Sequence, residues 1–151
     1  MRMKLLLVRH GQQKPGDFSP SAILTPEGRS DVEKTIFHLD TQGFSPDSIY
    51  TSPLKRALET AGMISAHFGA PLTVEEGLGD SFDPNVLIEI LGKAKEETLC
   101  FVGHAPTLLD FARSLCSDVA PIPRGCTLIL DITRTDGEIE GEIVGLVTPE
   151  G

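Results

Sequence analysis

The chain has the size and composition of one soluble globular domain: it has 151 residues, of which 40% are hydrophobic and 23% are charged. Its 22 acidic and 13 basic residues give a net charge of −9, which disfavours nucleic acid and anionic membranes as partners. The apolar run Leu5–Val8 is too short for a secretory signal, and no run approaches the roughly 20 residues of a membrane-spanning helix. We therefore expect one domain over residues 1–151, located in the cytoplasm.

Short apolar strands alternate with helical segments along most of the chain. The runs Leu5–Val8 and Thr98–Val102 are continuous and largely apolar, as in strands buried on both faces of a parallel sheet. Thr25 and Pro26 form a typical helix start, with Thr25 as the N-cap. In chain order, the predicted elements are a strand at Leu5–Val8, an irregular loop at 11–24, a helix from Pro26 to about Thr41, a strand at Ser48–Thr51, a helix opened by Ser52 and Pro53, a strand at Leu72–Val74, a loop at 75–84, a helix at Asn85–Lys95, a strand at Thr98–Val102, a helix from Pro106 to Leu115, and strands at Cys126–Ile132 and Glu142–Val147 around an Asp136–Gly137 turn. This alternation predicts a single three-layer α/β/α domain with a mostly parallel central sheet.

Three of the predicted strands run directly into residues that can bind phosphate. The first is followed by Arg9-His10-Gly11, the second by a helix start that carries Arg56, and the Thr98–Val102 strand by Gly103-His104. In an open α/β sheet, ligands bind outside the carboxyl ends of the strands. Exposed amides at a helix start favour an anion, and an arginine adds a planar fork that matches phosphate oxygens. Two histidines and two arginines are therefore expected at one edge of the sheet.

Each of these residues alone has an ordinary structural explanation, as a turn residue, a capping histidine or a solvated helix arginine. Their common position at one sheet edge favours function over coincidence. His38 and His67 lack such a setting, and we expect them to be surface or packing residues. A zinc site at His10 and His104 is disfavoured because the two arginines would repel a cation.

Other signatures of phosphate chemistry do not occur in the sequence. There is no GxxxxGK[ST] loop, and none of the three cysteines is followed six residues later by arginine. Cys100, Cys116 and Cys126 form no CxxC pair, which argues against a disulfide framework and against a zinc site. The nucleophile is therefore expected at a residue other than cysteine.

Three motifs, in order along the chain, resemble the histidine phosphatase superfamily, which is also called the phosphoglycerate-mutase-like family. The first is the Arg-His-Gly of residues 9–11. The second is the pattern Ser-Pro-x-x-Arg-Ala-x-x-Thr-Ala, which residues 52–61 keep at every fixed position. The third is the Gly-His of residues 103–104, and residues 24–28 resemble the family's usual opening of the first helix. The resemblance extends from residue 4 to beyond residue 110 and implies the phosphoglycerate-mutase-like fold.

This resemblance implies a phosphatase that works through a covalent intermediate on histidine. Neutral His10 would attack phosphorus and become phosphohistidine, and water would then hydrolyse that intermediate. Arg9, Arg56 and His104 would bind the phosphoryl oxygens, and Gly11 would contribute to the phosphate site. Neither a metal nor an organic cofactor is expected.

The motifs leave the proton donor open. Larger members of the family place an acidic residue between the third strand and the third helix, where this chain offers Glu75, Glu76, Asp80 and Asp83. We prefer Asp83 as the acid because the helix begins directly after it, with Asp80 as the alternative. Asp83 is equally well explained as an N-cap of that helix.

Within the family, the short chain and its compressed 75–84 loop are most similar to the SixA-type phosphohistidine phosphatases. A site without a lid insertion suits a phosphoryl group carried by another protein, so the expected partner is a phosphorylated protein. Gln12 and Gln13 depart from the small members, which often have an acidic residue followed by alanine there. The alternatives are a phosphatase of small-metabolite phosphate monoesters and, in another class, a catalytically weak phosphate-binding interaction module. Arg124 is expected at the substrate rim or, in our preference, in solvent.

Overall fold

The computed structural model describes residues 2–151 and contains, within them, six strands, four α-helices and one short 3-10 helix. In chain order these are β1 (Arg2–Arg9), α1 (Pro26–Thr41), β2 (Ser48–Thr51), α2 (Lys55–Phe68), β3 (Leu72–Val74), the 3-10 helix (Glu76–Leu78), α3 (Pro84–Lys93), β4 (Thr98–Gly103), α4 (Thr107–Leu115), β5 (Thr127–Thr135) and β6 (Glu138–Val147). Every predicted strand and helix is present. None of the helices in this part of the chain is long and apolar enough to cross a membrane.

All six strands form one mixed sheet in the order β3-β2-β4-β1-β5-β6. Strands β1 to β4 are parallel, β5 is antiparallel to β1, and β6 is antiparallel to β5. The register pairs Arg9 at the end of β1 with Gly103 at the end of β4. His10 and His104, which follow these two residues, therefore leave the sheet at neighbouring points.

Helices cover both faces of the sheet and give the three predicted layers. The side chains of β1 alternate between two hydrophobic cores: Leu5 and Leu7 pack with α3 and α4, whereas Leu6 and Val8 pack with α1 and α2. All four side chains are buried. Because both faces of β1 are covered, the strand has a continuous apolar sequence instead of an alternating one.

The start of α1 follows the predicted capping pattern. Thr25 Oγ1 accepts a hydrogen bond from the Gly28 N–H at 2.9 Å, and Pro26 occupies the first helical position. The other helices begin close to their predicted starts, with α2 at Lys55 and α4 at Thr107. The predicted 75–84 loop contains the 3-10 helix, and α3 begins at Pro84.

The carboxyl-terminal hairpin is longer than predicted. Its turn is at Asp136 and Gly137 as expected, and both residues have positive φ, at 48° and 82°. The two strands extend up to this turn, and β6 is an edge strand with one solvated face. Its polar residues, such as Glu138 and Glu140, are compatible with that position but do not form an apolar run that marks a strand in the sequence.

Candidate active site

The backbone of His10 is fixed between the ends of β4 and β5. Its N–H donates to the Gly103 carbonyl at 3.1 Å, and its own carbonyl accepts from the Gly125 N–H at 3.0 Å. Gly125 has a φ of +73°, a conformation that glycine adopts without strain. The nucleophile predicted from the sequence is therefore held at the carboxyl edge of the sheet by hydrogen bonds from both sides.

The His10 ring is oriented by the carbonyl of the next residue. Nδ1 lies 2.7 Å from the Gly11 carbonyl oxygen, and because a carbonyl can only accept, Nδ1 carries a proton. In the neutral ring, the lone pair is then on Nε2. Only 4% of the residue is exposed. This arrangement presents Nε2 in the form that a nucleophile requires.

The loop that follows His10 is attached to α2 through Thr60. The Gly11 N–H donates to Thr60 Oγ1 at 3.1 Å, and this hydroxyl donates to the Arg56 carbonyl at 2.9 Å. Thr60 belongs to the second sequence motif, whose pattern alone does not indicate a role for this residue. Its position explains why threonine is suited to this site: a small side chain that both accepts and donates joins the first motif to the second.

His104 lies against His10 and is held by Ser52. The ring centroids of the two histidines are 5.0 Å apart, with an interplanar angle of 53°. Nε2 of His104 is 2.7 Å from Ser52 Oγ. Nδ1 of His104 is buried and has no hydrogen-bond partner within residues 2–151. Since buried polar atoms are nearly always paired, this unpartnered nitrogen is a candidate contact for an oxygen of a bound phosphoryl group.

Both arginines expected in the site are held by backbone carbonyls through a single nitrogen. Arg9 Nη1 donates to the Ile122 carbonyl at 3.1 Å, and Arg56 Nη1 donates to the Ser19 carbonyl at 3.0 Å. The Nε atoms of both side chains are buried without a partner in the described part of the chain. Each guanidinium therefore has spare donors for an oxyanion.

The site is electrostatically positive, and it favours neutral histidines. Burial lowers the pKa of His10 to about 3, an effect partly offset by the Gly11 carbonyl and reinforced by neighbouring His104 and by the positive charges of Arg56 and Arg9. Burial and the charge of Arg56 lower the pKa of His104 to about 4, against an opposing effect of Asp80. At neutral pH both rings are uncharged, and the positive charge of the site is on the guanidinium groups.

These two histidines make the stability of the protein depend on pH. The unfolded chain takes up their protons near pH 6.5, whereas the folded chain does not do so until about pH 3 and pH 4. The free energy of unfolding is therefore expected to fall as the pH drops from 7 to 5, by up to about 2 kcal/mol for each histidine. Urea unfolding of the wild type and of His10→Gln at pH 7 and pH 5 measures this fall in the free energy of unfolding. If the fall were as large in His10→Gln as in the wild type, His10 would not contribute to it.

Of the two candidate acids, Asp80 lies nearer to the positive groups. Its charge raises the pKa of both Arg56 and His104, against the effect of burial. Gly79 places it there: a Cβ at this position would lie 2.8 Å from the Pro53 ring, so only glycine allows the segment to pack against the start of α2. Asp83 instead caps α3, since its Oδ1 accepts from the Asn85 N–H at 3.0 Å.

The remaining residues singled out in the sequence lie around the site or away from it. Arg124 is exposed, and its charge contributes to the lowered pKa of Arg9 and Arg56, which places it in solvent at the rim. Gln13 is buried next to the site loop, where it forms an isolated bridge with Leu24.

The other two histidines take no part in the site. His67 is exposed and pairs with Asp40 at 2.7 Å. His38 lies half-buried near the end of α1. Within residues 2–151, no group of three or more His, Cys, Asp or Glu side chains is arranged to hold a metal ion.

Solved structures with the same fold include several phosphatases. The protein histidine phosphatase SixA in complex with tungstate has a TM-score of 0.81 and 19% identity, with 97% of each chain covered. The mycobacterial glucosyl-3-phosphoglycerate phosphatase has a TM-score of 0.73 and 16% identity, over 93% of this chain and 96% of the other. A phosphoserine phosphatase mutant from Entamoeba histolytica, in complex with phosphoserine, has a TM-score of 0.73 and 15% identity, with 98% of each chain covered.

Sequence comparison assigns the family. No curated protein sequence gives a significant match to the chain. The family model of the histidine phosphatase superfamily, branch 1, matches residues 5–82, which is more than half of the chain and includes the first two motifs. The resemblance inferred from the motifs is thereby confirmed. The protein belongs to the histidine phosphatase superfamily and is a phosphatase.

Proposed function

We propose that this protein hydrolyses phosphohistidine on another protein, through a phosphohistidine intermediate on its own His10. The main support is the protonation and burial of His10. Its imidazole is buried and neutral, with the proton on Nδ1 and the lone pair on Nε2, and it lies beside two arginines. A neutral nitrogen nucleophile next to fixed positive charge is suited to attack on a phosphoryl group.

In the first step, a bond forms between His10 Nε2 and phosphorus while the bond from phosphorus to the leaving group breaks. The ring, now substituted at Nε2 and still protonated at Nδ1, becomes a cation. The Gly11 carbonyl, 2.7 Å from Nδ1, stabilises this positive charge. The two guanidinium groups and His104 Nδ1 bind the phosphoryl oxygens, where the negative charge is spread in the transition state.

In the second step, water attacks phosphorus, the bond between His10 Nε2 and phosphorus breaks, and inorganic phosphate leaves with the protons of the water. His10 returns to its neutral form because the electron pair of the broken bond goes back to Nε2. The hydrogen bonds of the His10 backbone to Gly103 and Gly125 keep the ring in place through both steps. The chemistry needs only residues that the chain itself supplies.

Two observations support a protein-borne phosphohistidine as the substrate. The segment between β3 and α3 is short and contains only the 3-10 helix Glu76–Leu78, so it provides no long lid over the edge of the sheet. The structural similarity to SixA, a protein histidine phosphatase, extends over 97% of both chains. A substrate phosphohistidine leaves as imidazole, which is a better leaving group than an alkoxide and depends less on a strong acid.

A small phosphate monoester is the second candidate substrate, and the position of Asp80 favours it. In its protonated form, the carboxyl of Asp80 near Arg56 and His104 could give a proton to an alkoxide leaving group, and such a donor is needed for esters. The structural similarity to the glucosyl-3-phosphoglycerate and phosphoserine phosphatases also supports a small phosphate monoester as the substrate.

Phosphate release from two substrates, in the presence of EDTA, tests the proposal. We expect the wild type to release phosphate from a phosphohistidine-bearing protein and, with a lower kcat/KM, from p-nitrophenyl phosphate. A higher kcat/KM on the small ester would favour the metabolite phosphatase. Release from neither substrate would favour a phosphate-binding interaction module, and release that EDTA abolishes would contradict the metal-free mechanism.

A further inference from the structure

The hydroxyl of Ser52 lies between a backbone donor and a ring nitrogen of the site. Ser52 is fully buried, and its N–H donates to the Val102 carbonyl at 3.0 Å, so the residue is fixed at the end of β2. The Leu54 N–H donates to Ser52 Oγ at 3.2 Å, which occupies one lone pair of the hydroxyl. The other neighbour of Oγ is His104 Nε2, at 2.7 Å.

The proton of this hydroxyl has one acceptor. A serine hydroxyl has one proton to donate, and a buried one without an acceptor is unfavourable. In the described part of the chain, His104 Nε2 is the only acceptor within hydrogen-bond distance of Ser52 Oγ. If Nε2 carried the proton of the neutral ring instead, the hydroxyl would receive two hydrogen bonds and its own proton would remain unpaired.

We propose that Ser52 is a positioning residue: it donates its hydroxyl proton to His104 Nε2 and thereby keeps the proton of the neutral imidazole on Nδ1. The inference rests on the proposed function, in which His104 binds a phosphoryl oxygen. With Ser52 in place, the unpartnered Nδ1 is an N–H donor that can bind this oxygen. In the other tautomer, Nδ1 would present a lone pair to an anion and would repel it.

Ser52 and Gly11 thus keep both rings in the same Nδ1–H tautomer but leave different ring nitrogens free for function. The Gly11 carbonyl takes the Nδ1 proton of His10 and leaves a nucleophilic Nε2. The Ser52 hydroxyl occupies Nε2 of His104 and leaves a donating Nδ1. One ring acts as a nucleophile and its neighbour as a hydrogen-bond donor, although both are neutral histidines 5.0 Å apart.

Long-range ¹H–¹⁵N NMR of the wild type at pH 7 tests the assignment directly, with the His104 signals assigned by comparison with His104→Gln. We expect Nδ1 of His104 to be the protonated nitrogen and Nε2 the unprotonated one. In Ser52→Ala, we expect this preference to weaken and kcat/KM on the phosphohistidine-bearing protein to fall roughly 3- to 10-fold, as for the loss of one hydrogen bond.

Thr51→Val is the matched control. Thr51 is as fully buried as Ser52, and its hydroxyl donates to the Ser52 carbonyl at 3.1 Å without contacting His104. This variant is expected to keep the Nδ1–H tautomer and a kcat/KM within about twofold of the wild type. An Nε2–H tautomer in the wild type would overturn the proposal, as would equal losses of kcat/KM in the two variants. The NMR measurement needs no turnover, so it decides the role of Ser52 even if the proposed substrate is wrong.

Discussion

Replacing His10 by alanine is expected to lower kcat/KM at least about 10³-fold on every phosphorylated substrate, because the variant lacks the atom that forms the covalent intermediate. Arg9, Arg56 and His104 would remain and could still bind phosphate. The loss should therefore appear in kcat, while phosphate binding persists. Steady-state kinetics together with titration by inorganic phosphate separate these two effects.

His67→Ala is the control for this experiment. His67 is an exposed histidine in the last turn of α2, and it pairs with Asp40 on the surface. Its loss is expected to leave kcat/KM unchanged. Circular dichroism and urea unfolding show whether His10→Ala keeps the wild-type fold. If the folded variant retained kcat/KM within about tenfold of the wild type, another residue would have to be the nucleophile.

The second large effect is expected for Asp80→Asn, and it should depend on the leaving group. A phosphoserine peptide leaves as an alkoxide and needs a proton, so we expect kcat on this substrate to fall on the order of 10²-fold. p-Nitrophenolate leaves as a stabilised anion, and a phosphohistidine ring protonated on its other nitrogen leaves as neutral imidazole, so neither needs a proton from the acid. On p-nitrophenyl phosphate and on phosphohistidine, Asp80→Asn should therefore change kcat by less than about threefold.

Asp83→Asn is the matched variant for the acid assignment. Asparagine caps a helix about as well as aspartate does, so the hydrogen bond to the Asn85 N–H is expected to persist and α3 should remain intact. We expect this variant to keep kcat on all three substrates. A selective loss of kcat on phosphoserine in Asp83→Asn, with Asp80→Asn unaffected, would identify Asp83 as the acid.

The positions of the four principal site residues could be predicted from the sequence because each follows a strand or opens a helix. The apolar runs that precede Arg9 and Gly103 mark strands buried on both faces, and the ends of parallel strands meet at one edge of the sheet. Arg56 follows the end of β2 by a few residues and enters the same edge. Local patterns and the topology of the fold were sufficient for these residues.

The choice between Asp80 and Asp83 could not be made from spacing. Both residues lie in the segment between β3 and α3, and both could reach the edge of the sheet from there. The two residues differ in position because of a contact that is distant in sequence: Gly79 packs against Pro53, and Asp80 lies near Arg56. Asp83 is used locally, as the cap of the helix that follows it.

The contacts that orient the candidate site residues could not be predicted from the sequence either. Arg9 is held by the Ile122 carbonyl and Arg56 by the Ser19 carbonyl, and a backbone carbonyl has no residue-specific signature. The hydrogen bond between Ser52 and His104 joins residues 52 positions apart. The motif pattern marks Ser52 as fixed, but only its position against the ring indicates what the hydroxyl does.

Trapping the phosphorylated protein during turnover tests directly whether His10 is the nucleophile. Wild type mixed with the phosphohistidine-bearing substrate is quenched in alkali, in which phosphohistidine is stable, digested and analysed by mass spectrometry, and ³¹P NMR identifies the substituted nitrogen. We expect phosphate on Nε2 of His10 in the wild type and no phosphorylated peptide from His10→Ala. Turnover without any phosphorylated His10, or a phosphoryl group on another residue, would contradict this expectation.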